Sequence, residues 1–241
     1  MGLPAKATIT AFQGDFGIIQ PEYKYYIQIA KLYNRLVKMP NERIVKKVFL
    51  WDVTQEEDSW FKELCALCIY LDYPYSYDIS KCIDVKQFTE CCKSKQESEW
   101  KNAIQLKPKL RTYCLFKEVY TTEHYVKYID QKCQRSLMSQ IRSGVLPLQI
   151  EVGRYHNIPL DNRTCQVCNT GVIEDEFHFV CICPHYTRLR NVMYESAKKI
   201  NDNFEGLDDK EKFIFLFKHS QMSVSRYIRD AWYTRKSILY T

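Results

Sequence analysis

The chain has 241 residues, 46% hydrophobic and 14% aromatic, which is enough apolar material for one large domain or two small ones and excludes a disordered tail. Seven glycines and eight prolines are too few for the many tight turns of a sandwich or barrel, so the composition points to long helices. Thirty-five basic against 29 acidic residues leave a net charge of +6, compatible with a phosphate-bearing partner but well short of a dedicated basic arm; charges that only solvate helix faces explain it equally well.

Met1 to Thr10 lacks the apolar core of a secretory signal, and no run of about 18 apolar residues follows. An intracellular protein, cytoplasmic or nuclear and without a membrane partner, is expected. Eleven cysteines, an odd number without a signal, then favour reduced thiols and metal ligation over disulfides.

From Pro21 to Lys38 the residues Tyr25, Ile29, Leu32, Tyr33 and Leu36 recur at helical spacing, and Pro21 suits a helix entry. Pro40 ends this helix, and a second over Ile44 to Trp51 is expected behind Asn41 as cap. Glu56 to Leu71 reads as a buried helix with Trp60, Phe61, Leu64, Cys65, Cys68 and Ile69 inward. Cys65 and Cys68 form a Cys-x2-Cys pair, but their apolar neighbours and the lack of further ligands nearby make them core residues. Val85 to Leu106 is helical, with Cys91 and Cys92 about 100° apart on its surface and poorly placed to share a metal. Pro108 to Tyr128 is rich in Tyr, Val and Phe, and a short strand pair is expected near Tyr113 to Val119 or around Arg163 to Val172. Gln131 to Arg142 is again helical and stops at Ser143-Gly144. Turn residues cluster from Gly144 to Asn162, which places a domain boundary between residues 143 and 144. The expected fold is mainly all-α: a helical domain over 1–143, then a small Cys-Cys-His-Cys zinc-binding unit and C-terminal helices over 144–241.

Cys165-Gln-Val-Cys168 follows the turn-rich stretch, with His178 ten positions on and Cys181 and Cys183 behind it. This supplies the soft and borderline donors of a tetrahedral zinc site, with His178 presented by a short helix over Glu174 to Cys181. Helical spacing favours Cys181 as the fourth ligand, three residues after His178. Against it, Cys183 precedes Pro184, where the chain leaves the helical region and can bend back, so the two are nearly tied. His156 and His185 read as surface histidines, because adopting either would strand a better spaced ligand. A closed four-ligand site leaves no position for water or substrate, so the expected Zn2+ is structural.

The stretch Ser143 to Tyr155, then Pro159, Arg163-Thr-Cys-Gln-Val-Cys168, Ile173-Glu-Asp-Glu-Phe-His-Phe179 and Cys183-Pro-His-Tyr186 resembles the zinc-binding region that follows the polymerase domain in non-LTR retrotransposon reverse transcriptases. That pattern places four residues between histidine and last cysteine, followed by Cys-Pro-x-Tyr, which implies Cys165, Cys168, His178 and Cys183 as ligands. Ala11 to Gly17 and Leu32 to Phe49 resemble the thumb or its surroundings, and Lys107 to Tyr113 and Phe213 to Phe217 resemble later landmarks of the same tail. By this resemblance residues 1–143 correspond to thumb and post-polymerase connector.

The polymerase signature Tyr-x-Asp-Asp has no counterpart; the nearest stretch, Tyr70-Leu-Asp-Tyr73, has one aspartate. The chain is therefore expected to begin after the catalytic palm and not to be an enzyme. A nuclease built on Asp208, Asp209, Lys210, Glu211 and Lys212 is the alternative, but Asp208 three residues before Glu211 reads as a capping box at a helix start. The implied partner is RNA or DNA, contacted by Arg142, Arg154, Arg163, Arg188 and Arg190 with Tyr155 and Tyr186 for stacking. Those arginines could equally pair with Glu151, Glu174 and Glu176. A second alternative is a helical scaffold that binds protein through Phe213 to Phe217 and Tyr227, Trp232, Tyr233 and Tyr240.

Overall fold

The computed structural model describes residues 8–75 and 78–240. In chain order the α-helices are α1 (Ile9–Phe16), α2 (Pro21–Val37), α3 (Ile44–Val53), α4 (Trp60–Tyr70), α5 (Val85–Gln105), α6 (Tyr113–Phe116), α7 (His124–Tyr128), α8 (Lys132–Arg142), α9 (Gln149–Tyr155), α10 (Thr187–Lys198), α11 (Asp209–His219) and α12 (Gln221–Leu239). Among the described residues the only β pairing is one antiparallel bridge, Thr164 with Ile173, so the fold is mainly all-α. No described helix is long and apolar enough to cross a membrane.

The chain divides into two compact units, residues 19–100 and residues 1–18 with 101–241. In the first, α2 carries Pro21 in its first turn, as its sequence predicts. The core joins Tyr33, Phe49, Phe61, Leu64, Cys68 and Phe88. Asn41 does not cap α3; the helix starts behind Arg43, which makes no side-chain cap. Instead Lys46 is buried and its Nζ donates to the Leu36 and Val37 carbonyls at 2.9 and 3.0 Å, satisfying the open end of α2. The α4 helix starts at Trp60, later than Glu56, because Asp52 accepts from the Trp60 and Phe61 amides and Ser59 Oγ accepts from Lys62 N. Cys65 and Cys68 are buried core residues, and burial pushes the Cys68 thiol up to about 12. Ile69, expected inside, is 64% exposed.

In the second unit the expected boundary after Ser143 is not a division of the structure. The α8 helix packs along α12, and Gln134 Nε2 donates to Ser225 Oγ at 2.7 Å across that contact. Gly144 does end α8, at φ +65°, but as a turn inside the unit: a Cβ there would lie 2.2 Å from the Lys109 carbonyl oxygen. Tyr113 to Val119 forms no strand; Tyr113 and Phe116 are buried one helical turn apart on the same side of α6. The apolar run on α11 is met within the unit, with Phe213, Leu216 and Phe217 buried and Phe217 stacked 4.7 Å from Phe116. Asp208 and Glu211 form the expected capping box, each side chain accepting from the other's backbone amide at 2.7 and 3.0 Å.

The α1 helix is tied to this unit by a buried charged pair, beside hydrogen bonds such as Tyr113 to the Ala11 carbonyl and Thr122 to the Phe16 carbonyl. Arg142 is 1% exposed, and its Nε and Nη2 donate to the two Asp15 carboxylate oxygens at 2.9 and 2.8 Å. Asp15 also accepts from Tyr113 and Tyr125, and the Arg142 guanidinium lies 4.6 Å from the Phe116 ring centre. Removing Arg142 would strand the buried Asp15 carboxylate, and removing Asp15 would leave Arg142 only the Glu123 carboxylate, 3.4 Å from Nη2. Arg142→Met is expected to lose about 3–5 kcal/mol in urea denaturation, and Arg142→Met with Asp15→Asn to recover part of it.

Candidate metal centre

Two short segments build the site. The first is held by the Thr164–Ile173 bridge, with the Cys165 amide donating to Val172 O and the Glu174 amide to Arg163 O, both at 2.9 Å. Between these anchors Asn169 and Gly171 take positive φ, so the chain reverses within a few residues and holds Cys165 and Cys168 at its base. Thus the second of the two expected strand positions exists only as this single bridge.

The second segment starts where Asp175 Oδ1 accepts from the His178 amide at 2.7 Å. It continues as a π-helical turn over His178–Ile182, closed by the Cys183 amide donating to His178 O at 2.8 Å. Pro184 then starts a new turn. The donor atoms of Cys165, Cys168, His178 and Cys183 all lie within 4.8 Å of one another, with Cys168 Sγ 3.5 Å from His178 Nε2. Tetrahedral zinc with Zn–S near 2.3 Å and Zn–N near 2.0 Å has edges of about 3.5–3.8 Å, so small rotamer adjustments close this set around one ion. Cys165, His178 and Cys183 are buried, Cys168 half-buried.

The donor chemistry fits a cation. The mutual hydrogen bond between Cys165 and Cys183 holds the Cys165 thiol well below the usual thiol range, helped by His178, and together with burial holds Cys183 above it. His178 Nδ1 is buried without a hydrogen-bond partner. Cys181 is not in the group: it is buried beside Tyr194, and burial pushes its thiol up to about 12. His156 and His185 are exposed and stand outside it as well.

Around the donors lies a shell that sequence spacing missed. Glu174 is fully buried; its carboxylate accepts from Arg235 Nε and Nη2 at 2.9 and 2.8 Å and from the Gln149 amide at 2.9 Å, and Cys165 Sγ is 3.8 Å away. Arg235 was readable, since it continues the buried stripe Val224, Ile228 and Ala231 of α12 at helical spacing.

The residues proposed to touch nucleic acid divide sharply. Arg142 is buried on Asp15, and Arg190 is buried with Nε on Val180 O and Nη2 on Cys183 O at 2.9 and 2.6 Å. Tyr186 is 1% exposed against Phe179, so it has no face to offer a base. These three hold the fold. Arg163 is half-buried, donating to Ile158 O and Ile150 O. Arg154 and the Tyr155 hydroxyl both donate to Glu151, though Tyr155 keeps 43% of its surface exposed; Arg188 is exposed. Of the expected acidic partners, only Glu151 takes an arginine on that roll; Glu174 pairs with Arg235 and Glu176 with Arg111. Arg154 and Arg163 share a cleft of about 340 Å³ with Lys109 and Arg111, and Glu151 and Asp175 also line it.

No family model matches the chain, and neither a curated protein nor a solved structure matches it.

Removing the Glu174 carboxylate would strand the buried Arg235 charge. Glu174→Ala is expected to cost about 3–5 kcal/mol in urea denaturation. It should also raise amide exchange at Gln149, which loses its acceptor.

Proposed function

We propose that the chain is a non-catalytic helical region stabilised by one structural zinc ion on Cys165, Cys168, His178 and Cys183, and that it assists RNA or DNA binding, the role implied by its resemblance to the post-polymerase region of non-LTR retrotransposon reverse transcriptases. The convergence of four donors within 4.8 Å is the observation that carries this reading. Three thiolates and one imidazole form a tetrahedral set suited to zinc, and all four positions are filled by protein. Such an ion supplies folding free energy, on the order of 10 kcal/mol or more in small finger peptides.

The test compares Cys183→Ser with Cys181→Ser. The first is expected to lose bound zinc and become protease-sensitive over 153–186, as should the wild-type chain after a strong chelator; the second is expected to keep its zinc. Zinc retained by both variants would refute the four-ligand site.

Support for a nucleic-acid role comes from the cleft of Lys109, Arg111, Arg154 and Arg163, where one carboxylate, Glu151, serves both Lys109 and Arg154. Tyr155 beside it and Arg188 on α10 offer a stacking face and a further cation. Arg154→Ala with Arg188→Ala is expected to weaken binding of a single-stranded RNA oligonucleotide and to flatten the salt dependence by about 0.7 in log–log slope per lost phosphate contact. Fluorescence anisotropy across a salt series measures this, and an unchanged slope would remove these two arginines from the interface.

A further inference from the structure

A cavity of about 440 Å³ opens where α7, the end of α10 and the α11–α12 junction meet. Its charged or titratable lining groups are His124, Lys218, His219 and Arg226; the rest are serine, glutamine, methionine and isoleucine side chains, and among the described residues no carboxylate lines it. This sets it apart from the cleft near the cysteines, which Glu151 and Asp175 also line. Lys218 has a partner, Glu118 at 2.6 Å, but that carboxylate is 68% exposed and outside the lining, and surface pairs of this kind are worth at most about 1 kcal/mol. The C-terminal end of α11 and the N-terminal end of α12 meet at Ser220, so their end charges offset and the side chains set the sign of the site.

A second cavity of about 250 Å³ adjoins it between α10 and α12, sharing Ser196, Ser223 and Arg226. Leu189 and Val192 give this one an apolar wall, and its two other charges, Arg229 and Asp230, pair with each other at 2.7 Å. The two cavities form a polarised groove, cationic at one end and apolar at the other, with Arg226 at the junction. Pockets for small molecules span about 300–1,000 Å³, and the cationic end alone falls inside that range.

We propose that this groove binds a small organic phosphate, its phosphate among Lys218, His219 and Arg226 and its apolar or planar body along Leu189 and Val192. An unpaired guanidinium and an ammonium that can leave a surface partner are suited to a phosphate dianion, and Val192, 68% exposed, offers the body a surface now in water. Nucleotides and short-chain phospholipids share this chemistry.

Isothermal titration calorimetry on the full chain separates them, using adenosine 5′-monophosphate, dihexanoyl phosphatidic acid below its micelle concentration, and inorganic phosphate. One of the two organic phosphates is expected to bind at least about tenfold more tightly than inorganic phosphate, and which one names the source. Arg226→Ala should weaken it about tenfold or more. Val192→Ser, which removes apolar surface without adding charge, should weaken the organic ligand and leave inorganic phosphate unchanged. Arg226 and Val192 are both exposed, so the variants are expected to fold, with circular dichroism as the check. If neither organic phosphate exceeds inorganic phosphate, or if either substitution leaves the tighter ligand unaffected, the proposal is overturned.

Discussion

Glu174 has no exposed surface, and an ionised carboxylate in that position is tolerable only if every lone pair is used. Arg235 of α12 and the Gln149 amide at the start of α9 use its side chain, and the Ile150 amide donates to its backbone carbonyl at 3.0 Å. The same residue leaves the bridge that positions Cys165. The cysteine turn is thereby fastened to two helices through one buried glutamate, to α12 by a charge pair and to α9 by backbone amides. Disturbing α12 near Arg235 must disturb the donors, and ordering the donors must favour the seating of α12.

Arginine fills two distinct roles in this unit, and helical position separates them better than nearness to the cysteines does. Arg190 falls in line with the buried Tyr186, Met193 and Ala197, and Arg142 one turn after the buried Met138. Each stands on the apolar stripe of its helix, where a cation survives only by spending its donors on carboxylates or carbonyls. Arg154 and Arg188 stand off those stripes and keep contact with solvent. The helical phase of Arg142 and Arg190, present in the sequence, already marks them as buried residues and not surface contacts.

Helices with strong periodicity, the start of α11 and three of the converging donors, Cys165, Cys168 and His178, were legible because each depends on spacing over a few positions, whereas spacing left the fourth donor open between Cys181 and Cys183. The division of the chain was not. Asp15 meets Arg142 across 127 positions, and nothing local marks Asp15 as the acceptor that draws α1 into the unit containing the cysteines. The absence of a strand at Tyr113 was equally hidden, since its aromatic residues suit either conformation and the burial of Tyr113 beside Asp15 decides the outcome. Stretches that look unrelated in sequence also turn out to be neighbours: Lys109 abuts Gly144, Arg111 holds Glu176, and Tyr113 holds Asp15. One short segment over 107–113 thus touches three distant parts of the same unit.

The π-helical turn between His178 and Cys183 is a counting device. An ordinary helix turns about 100° per residue, so two side chains five positions apart diverge, and the tighter pair at positions 178 and 181 would share a face. Widening the turn by one residue changes that phase and returns Cys183 to the side of His178, while Cys181 is carried round toward Tyr194. The choice between two cysteines is therefore encoded in chain length and not in side-chain identity. A one-residue insertion between His178 and Cys183 would carry Cys183 onward by roughly 80–100° and turn its sulfur away from the histidine, with no donor residue changed.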